Sequence, residues 1–222
     1  MRRRIVIAGA TFKDAMGALA VAIAIIAYAI YVWQSFRGDA RPHPLSWLIF
    51  GILTGTGYLV QRDAAAGPGS WVTGITAVVC LMLCIMSFIR GERMFPWYEW
   101  AFLGAAAIVF CFYIWSREPA LVSATLPEAL HATVLKQGAA ISAVLASAVN
   151  VLGFGPTVTK AWRRPRSDSI TTFVLNGLKF VPALVAMDAV SVATMVFPVT
   201  LVIANLAVAL VIYVRRRSFK FD

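Results

Sequence analysis

The sequence predicts an all-α membrane protein with seven transmembrane helices, arranged as two parallel three-helix repeats joined by a linker helix. The first of three supporting observations is composition: 60% of the 222 residues are hydrophobic, 14% are charged, and the mean hydropathy is +0.79. Soluble domains are typically about 45–50% apolar and about 25% charged. A soluble chain of this length has no means of hiding so much apolar surface, so a lipid bilayer is its expected solvent.

The second observation is a series of apolar runs long enough to cross a membrane. A transmembrane helix needs about 20 mostly apolar residues, with a range of about 17–25. The predicted spans cover residues 14–36, 44–62, 70–89, 97–116, 133–159, 169–188 and 191–214. The fifth span has the lowest hydropathy and is rich in Ala, Ser and Gly, a composition that suits close approach of neighbouring helices.

The third observation is an internal repeat at an offset of 123 residues. The motif Arg41-Pro42-x-x-x-Ser46 returns as Arg164-Pro165-x-x-x-Ser169, each time between two long apolar runs. Further pairs at this offset are Lys13 with Lys136, Tyr31 with Phe154, Arg37 with Lys160 and Phe50 with Phe173. The offset pairs spans one to three with spans five to seven. Because one extra crossing lies between them, the two halves are expected to run parallel.

The repeat divides the chain into three parts. A first three-helix bundle covers residues 1–96, a linker helix and loop cover 97–132, and a second three-helix bundle with a basic C-terminal tail covers 133–222. Many transporter folds join two related bundles around a central substrate site. The repeat therefore predicts a transporter rather than an enzyme, and neither a nucleophile–base pair nor a metal-ligand motif is evident. No cofactor and no metal are expected, since His43 and His131 are isolated in loops.

The net charge of +10 is carried by basic residues at the ends of apolar runs. That placement indicates membrane topology and not nucleic-acid binding. Loops on one predicted side hold twelve basic residues and those on the other hold seven. The positive-inside rule then predicts that the N-terminus lies outside and the C-terminus in the cytoplasm. The short loops and compact length favour a bacterial inner (plasma) membrane. The expected partners are the lipid bilayer and a small polar solute, and a homo-oligomer is left open.

A short motif resembles the PQ-loop and SWEET superfamily: Gly155-Pro156-Thr157-x-x-Lys160, a basic turn, Ser167-Asp168-Ser169 and then Asn176. Each half keeps one member of the Pro-Gln pair, because Gln34 follows Trp33 in the first half while Pro156 precedes Thr157 in the second. The resemblance implies alternating access between two three-helix bundles, with sugars, amino acids or other small polar solutes as substrates. It also implies gate or hinge roles for these residues and for Pro182.

Other features of that superfamily leave alternatives open. Its members often contact sugar through paired asparagines on spans three and seven; here Asn205 matches on span seven, whereas Met82 stands at the paired position. The branch that contains the KDEL receptor binds a ligand without moving it. A SWEET-like receptor and a structural scaffold are therefore the two alternatives to transport.

Lys179 is the most informative single residue. It lies midway along the sixth span, where a charged side chain costs about 2.5–3.5 kcal/mol on insertion scales and usually faces a cavity or a partner. Asn176 lies one turn earlier on the same helical face, and Pro182 cannot bond the carbonyl of Leu178. An anion-binding or charge-coupling group is one interpretation. The other is a lysine that snorkels to the interface or caps the carbonyls of a bent helix.

The offset partner of Lys179 is Thr56, so a cation in one half is expected to face a hydroxyl in the other. This asymmetry favours a carboxylate-bearing solute over a neutral sugar. The predicted solute site comprises Lys179, Asn176, Thr56, Asn205, Tyr58 and Phe180. Asp188 and Asp14 are candidates for proton coupling, with helix-end solvation as the alternative. Asn150, a further polar residue in the fifth span, is assigned to interhelical hydrogen bonding or to solute contact.

Overall fold

The computed structural model describes residues 2–38, 42–90, 97–163, 165 and 169–218. Over these ranges the regular structure is all-α, with one 3-10 turn at Gly67–Ser70 and no strand. The helices are α1 (Arg2–Arg37), α2 (Pro44–Asp63), α3 (Trp71–Arg90), α4 (Trp97–Ser116), α5 (Pro119–Thr125), α6 (Glu128–Gly153), α7 (Gly155–Arg163), α8 (Ile170–Leu178), α9 (Phe180–Val185) and α10 (Val192–Ser218). Arg41 of the first repeated motif, and Arg164, Ser167 and Asp168 near the second, lie outside the described residues.

Five helical segments are long and apolar enough to cross a membrane. They are Phe12–Arg37, Gly67–Ile89, Trp97–Ser116, Glu128–Arg163 and Val192–Arg217. Many of their large apolar side chains are exposed on the outside of the bundle, Ile85, Ile89 and Ile108 among them. A lipid-facing surface needs such side chains, whereas a soluble domain would bury them. The protein is therefore an all-α integral membrane protein.

The predicted second and sixth spans are helical but less apolar or shorter than the other five. α2 has 20 residues and buries the polar side chains of Thr54, Thr56 and Gln61. It packs against α3, α4 and α6, so protein rather than lipid surrounds much of its surface. α8 and α9 together form a shorter apolar segment, Ile170–Val185.

Two of the long helical segments are interrupted. α6 passes into α7 at Phe154, which is flanked by Gly153 and Gly155. α8 passes into α9 at Lys179, whose backbone stays in the right-handed helical region with φ −58° and ψ −26°. Pro182 has no N–H for the Leu178 carbonyl four residues earlier, which accounts for an interruption at this point. The predicted bend thus coincides with the lysine.

The helix contacts follow a paired pattern. α3 packs against α1 and α2, and α10 packs against α6 and α8. Across the molecule α1 packs against α8 and α9, while α2 packs against α6. An offset of 123 residues relates α1, α2 and α3 to α6, α8–α9 and α10, so each of these contacts has a counterpart in the other half. α4 bridges the two sets because it packs against both α2 and α6.

Gly57 brings α2 close to α10. A Cβ atom at Gly57 would lie 2.8 Å from Cδ1 and 3.0 Å from Cε1 of Phe197 on α10. The Phe197 ring is fully buried in the main hydrophobic core, together with Leu53 and Phe180. Small residues permit this kind of approach between membrane helices, where van der Waals contact is a main source of stability.

We therefore expect Gly57→Ala to destabilise the protein by about 1–3 kcal/mol, because overpacking displaces the Phe197 ring. Gly104→Ala is the matched control, since nothing lies within 4 Å of a Cβ atom at Gly104 in α4. That variant should match or exceed wild-type stability through its better helix propensity. The thermal midpoints of the purified proteins in detergent micelles compare the two. Equal midpoints would contradict the close packing of α2 on α10.

Candidate functional site

A cavity of about 100 Å³ lies between the two sets of helices. Its walls come from α1, α2, α3, α6, α8, α9 and α10 and from the α6–α7 and α8–α9 junctions. The lining residues are Tyr28, Trp47, Phe50, Thr54, Thr76, Cys80, Asn150, Phe154, Phe173, Asn176, Lys179, Phe180, Leu201 and Asn205. Both halves thus contribute, and polar groups face a largely aromatic wall.

Lys179 is 1% exposed and is held by contacts from both halves. Its Nζ donates to the hydroxyl of Tyr28 at 2.9 Å and to Oδ1 of Asn176 at 3.0 Å. The same nitrogen lies 4.3 Å from the ring centroid of Tyr28 and 5.2 Å from that of Phe180, within cation–π range. Because the α8–α9 junction falls at Lys179, its side chain leaves the helix where the backbone is interrupted.

The charge of this site is not balanced within the cavity. Lys179 is the one charged residue among the described residues that line it. An ammonium has three N–H donors, and the two hydrogen bonds use two of them. Burial of an ammonium without a carboxylate is costly, and hydroxyl, amide and aromatic groups offset only part of that cost. The cavity therefore offers a binding position for an anionic group.

Asn150 adds a second incompletely satisfied group. Its side chain is 1% exposed and lines the same cavity. Among the described residues neither Oδ1 nor Nδ2 has a hydrogen-bond partner. Buried amides in folded proteins nearly always have partners, so an unpartnered one points to a missing ligand or water. Asn205 differs, because its Nδ2 donates to the Leu201 carbonyl of its own helix at 2.8 Å.

The structure places four of the predicted solute-site residues in the cavity wall: Lys179, Asn176, Asn205 and Phe180. Thr56 and Tyr58 do not line it. The Thr56 hydroxyl is fully buried and donates to the Ile52 carbonyl at 2.9 Å. The Tyr58 ring packs on Gly74 of α3, where a Cβ atom would lie 3.0 Å from it. Thr54, two residues before Thr56, faces the cavity instead.

Sequence reasoning gave no role to Tyr28, Trp47 or Thr54 and treated Asn150 mainly as a helix contact. The Lys179–Tyr28 contact joins residues 151 positions apart, so nothing local in the sequence identifies it. For Asn150 a signal existed, because an amide buried within an apolar, small-residue segment requires a hydrogen-bond partner.

An aromatic layer of Tyr31, Trp47, Phe50 and Phe154 lies beside the cavity. The ring centroids are 5.1 Å apart for Tyr31 and Trp47, 6.3 Å for Trp47 and Phe50, and 5.7 Å for Phe50 and Phe154. A helix rises about 1.5 Å per residue, so Phe50 lies about 6 Å from Thr54, toward the start of α2. This layer, of which all but Tyr31 line the cavity, lies between Thr54 and the end of the bundle where α1 ends and α2 begins.

Four predicted gate residues have described side chains, and none of the four lines the cavity: Trp33, Gln34, Thr157 and Pro182. Trp33 is 62% exposed and stacks under the guanidinium of Arg37 at 5.8 Å. Gln34 and Thr157 are partly buried, and Pro182 is buried in α9. The side chain of Pro156 lies outside what the structure describes. At this end, the side chains nearest the cavity are those of the aromatic layer.

A charged contact joins the two halves at the opposite end of α1. Nζ of Lys13 lies 2.9 Å from Oδ1 of Asp188 and donates to the Met187 carbonyl at 2.9 Å. The Asp188 N–H donates to the Ala66 carbonyl at 3.0 Å. Gly67 has a φ of +60°, and the Asp188 carboxylate fills the space where its Cβ would lie. Asp188 thus has a cationic partner.

Asp14 lies next to Lys13 and is exposed. Proton coupling through Asp188 or Asp14 stays a prediction. Within the described ranges, no group of three or more His, Cys, Asp or Glu side chains lies together in a way that could hold a metal ion.

Comparison of the chain with protein-family models, with curated proteins and with solved structures finds no match. The resemblance to the PQ-loop and SWEET superfamily therefore stays a prediction from the motif.

A substitution series separates a ligand-binding lysine from a structural one. Tyr28→Phe removes an acceptor from a buried ammonium and should cost about 1–3 kcal/mol. Lys179→Met removes the ammonium together with its burial cost, so stability should stay within about 1 kcal/mol of wild type. Tyr213→Phe on the exposed face of α10 serves as the control. Thermal midpoints in the same detergent rank the stabilities of the three variants. If Lys179→Met has the lowest midpoint, the lysine is structural.

Proposed function

We propose that this protein is a membrane transporter of a small polar solute and that it works by alternating access through the Lys179 cavity. The observation that carries the proposal is a buried lysine, without an acidic partner in the cavity wall, between two sets of helices. Charged residues inside membrane proteins usually mark substrate or ion pathways. Sugars, amino acids and carboxylate-bearing metabolites are the solute classes considered.

The paired helix contacts support a 3+1+3 arrangement for this transporter. In the proposal, α1–α3 form one bundle, α6–α10 form the other, and α4 is the linker span. α2 and the α8–α9 segment are then the second and sixth of seven spans, sheltered from lipid by the helices around them. Parallel repeats of this kind place the solute site at the interface between the bundles, where the Lys179 cavity lies.

Alternating access requires a barrier on each side of the site that can open in turn. Two contacts between the halves suit this role. In the proposal, the aromatic layer, through Phe50 and Phe154, is the barrier toward the start of α2. The contact of Lys13 with Asp188 is the barrier toward the other end. In the proposed orientation, with the N-terminus outside in a bacterial inner membrane, the Lys13–Asp188 end faces outward.

Cys80 provides a direct test because its free thiol lines the cavity. With Cys84 and Cys111 replaced by Ala, we expect a membrane-impermeant anionic methanethiosulfonate to modify Cys80 from both sides of the membrane. Alternating access exposes one site to each side in turn, so right-side-out and inside-out vesicles should both react. Mass spectrometry of the purified protein measures the modified fraction.

Cys84 is the matched control, since it lies one turn along α3 and is buried but outside the cavity wall. A variant that keeps only Cys84 should stay unmodified from either side. Modification of Cys80 from one side alone would favour a receptor that binds without transport. If Cys80 is unreactive from both sides, the cavity is dry and structural, and the transport proposal is wrong.

The Lys13–Asp188 contact generates a second prediction. Exposed ion pairs contribute about 0–1 kcal/mol, so Lys13→Met should raise the rate of Cys80 modification from that side by up to about fivefold. Asp14→Asn alters the neighbouring exposed carboxylate and should leave the rate unchanged. Rates of thiol modification in right-side-out vesicles provide the measurement. The two substitutions change the surface charge in opposite directions, so a slower rate in Lys13→Met with a faster rate in Asp14→Asn would show that attraction of the anionic reagent, not the contact, controls access.

A further inference from the structure

We propose that the solute is a small hydroxy monocarboxylate whose carboxylate is bound by Lys179 and whose hydroxyl is bound by Asn150. This inference rests on the proposed transport function and narrows its solute class. It follows from three properties of the cavity: its single charge, its unpartnered amide and its aromatic wall.

The charge of the cavity selects a monoanion. Lys179 alone among the described lining residues is charged, so one carboxylate balances the site. A second negative charge, as in a dicarboxylate or a phosphate dianion, would be buried without a partner. An amino acid would place its ammonium within a few ångströms of Lys179, where like charges repel and no acidic side chain of the described wall offsets them.

The Asn150 amide selects a neutral group that both donates and accepts. Oδ1 requires a donor and Nδ2 requires an acceptor, and neither has one among the described residues. A hydroxyl serves either atom, because it carries one O–H donor and two lone pairs. An ether, a ketone or a plain alkyl group leaves at least one of the two amide atoms unsatisfied. A sugar supplies hydroxyls but leaves Lys179 without an anion.

The size and the remaining walls limit the rest of the solute. A volume of about 100 Å³ accommodates on the order of seven water-sized particles. Trp47, Phe50, Phe154 and Phe173 present aromatic surface that suits a short apolar body and not a second polar head. A compact 2-hydroxy acid has one charge, one hydroxyl and such a body.

A set of four nearly isosteric probes tests each part of this assignment. Lactate has both groups, propionate lacks the hydroxyl, lactamide lacks the charge, and alanine replaces the hydroxyl with an ammonium. Titration calorimetry of the purified protein should show lactate bound at least about tenfold more tightly than the other three, since unpaired buried polar groups are costly. Equal or tighter binding of any other probe, or no binding of lactate, overturns the proposal.

Variants assign the two contacts. Asn150→Leu should abolish the preference for lactate over propionate while it leaves the affinity for propionate within about threefold. Lys179→Met should abolish the preference for lactate over lactamide. Ser147→Ala is the control on the same helix, because Ser147 is buried, bonds the Ala143 carbonyl and does not line the cavity. If Asn150→Leu still prefers lactate over propionate, the assignment of the hydroxyl to Asn150 is wrong. If a variant fails to fold, the titration of the wild-type protein with the four probes decides the solute class.

Counterflow of labelled solute in proteoliposomes tests the solute class separately from the transport proposal on which it rests. Exchange of labelled lactate that disappears in Lys179→Met supports both. Lactate binding in the calorimeter without any counterflow retains the solute class and overturns transport. Counterflow of labelled glucose or alanine in place of lactate retains transport and overturns the solute class.

Discussion

The arrangement of the helices around the cavity depends on burial of the Lys179 ammonium without a carboxylate beside it. In a low-dielectric interior such a group must be surrounded by oxygen acceptors and aromatic faces or its burial is prohibitive. The protein meets this requirement from both halves. Asn176 lies one turn away on the same segment, whereas Tyr28 comes from α1, 151 residues earlier. The Lys179–Tyr28 hydrogen bond lies where α1 packs against α8 and α9.

Small residues and large aromatic residues have different roles in the packing around the lysine. Glycine and other small residues bring backbones together away from the cavity, as Gly57 does against Phe197. Large aromatic side chains gather beside the cavity, where Trp47 and Phe50 stack in edge-on contact. On α2, the close contact at Gly57 and the ring of Phe50 are seven residues, about two helical turns, apart.

The sequence predicts the helices better than it predicts the site. The predicted fourth span, 97–116, coincides with α4, and the predicted second span differs from α2 by one residue, because apolar length determines both. Lys179 and Asn176 were also identifiable, since a charge in an apolar segment and its one-turn neighbour are visible in one helix. Tyr28 was not, because its role depends on how α1 docks against a distant segment.

Thr56, the offset counterpart of Lys179, does not line the cavity, whereas Thr54 does. An offset of 123 residues transfers positions between halves on the assumption that both helices are equally regular. α8 and α9 are interrupted at Lys179, whereas α2 is continuous from Pro44 to Asp63. The two helices thus differ in regularity at this pair of positions, so the offset alone does not identify which α2 residue lines the cavity. Thr54 lines the cavity instead, and Thr56 turns to bond the Ile52 carbonyl.

The two contacts that we propose as barriers differ in chemistry, and this difference bears on how they would open. The aromatic layer is held by dispersion and apolar contact, which salt does not screen. The Lys13–Asp188 pair is partly exposed, with side-chain exposures of 35% and 52%, so water and salt weaken it. A solute anion that neutralises Lys179 acts on neither contact directly. In the proposed transport cycle, the solute removes the charge imbalance of the cavity, and the weaker, ionic contact is the barrier that we expect to open first.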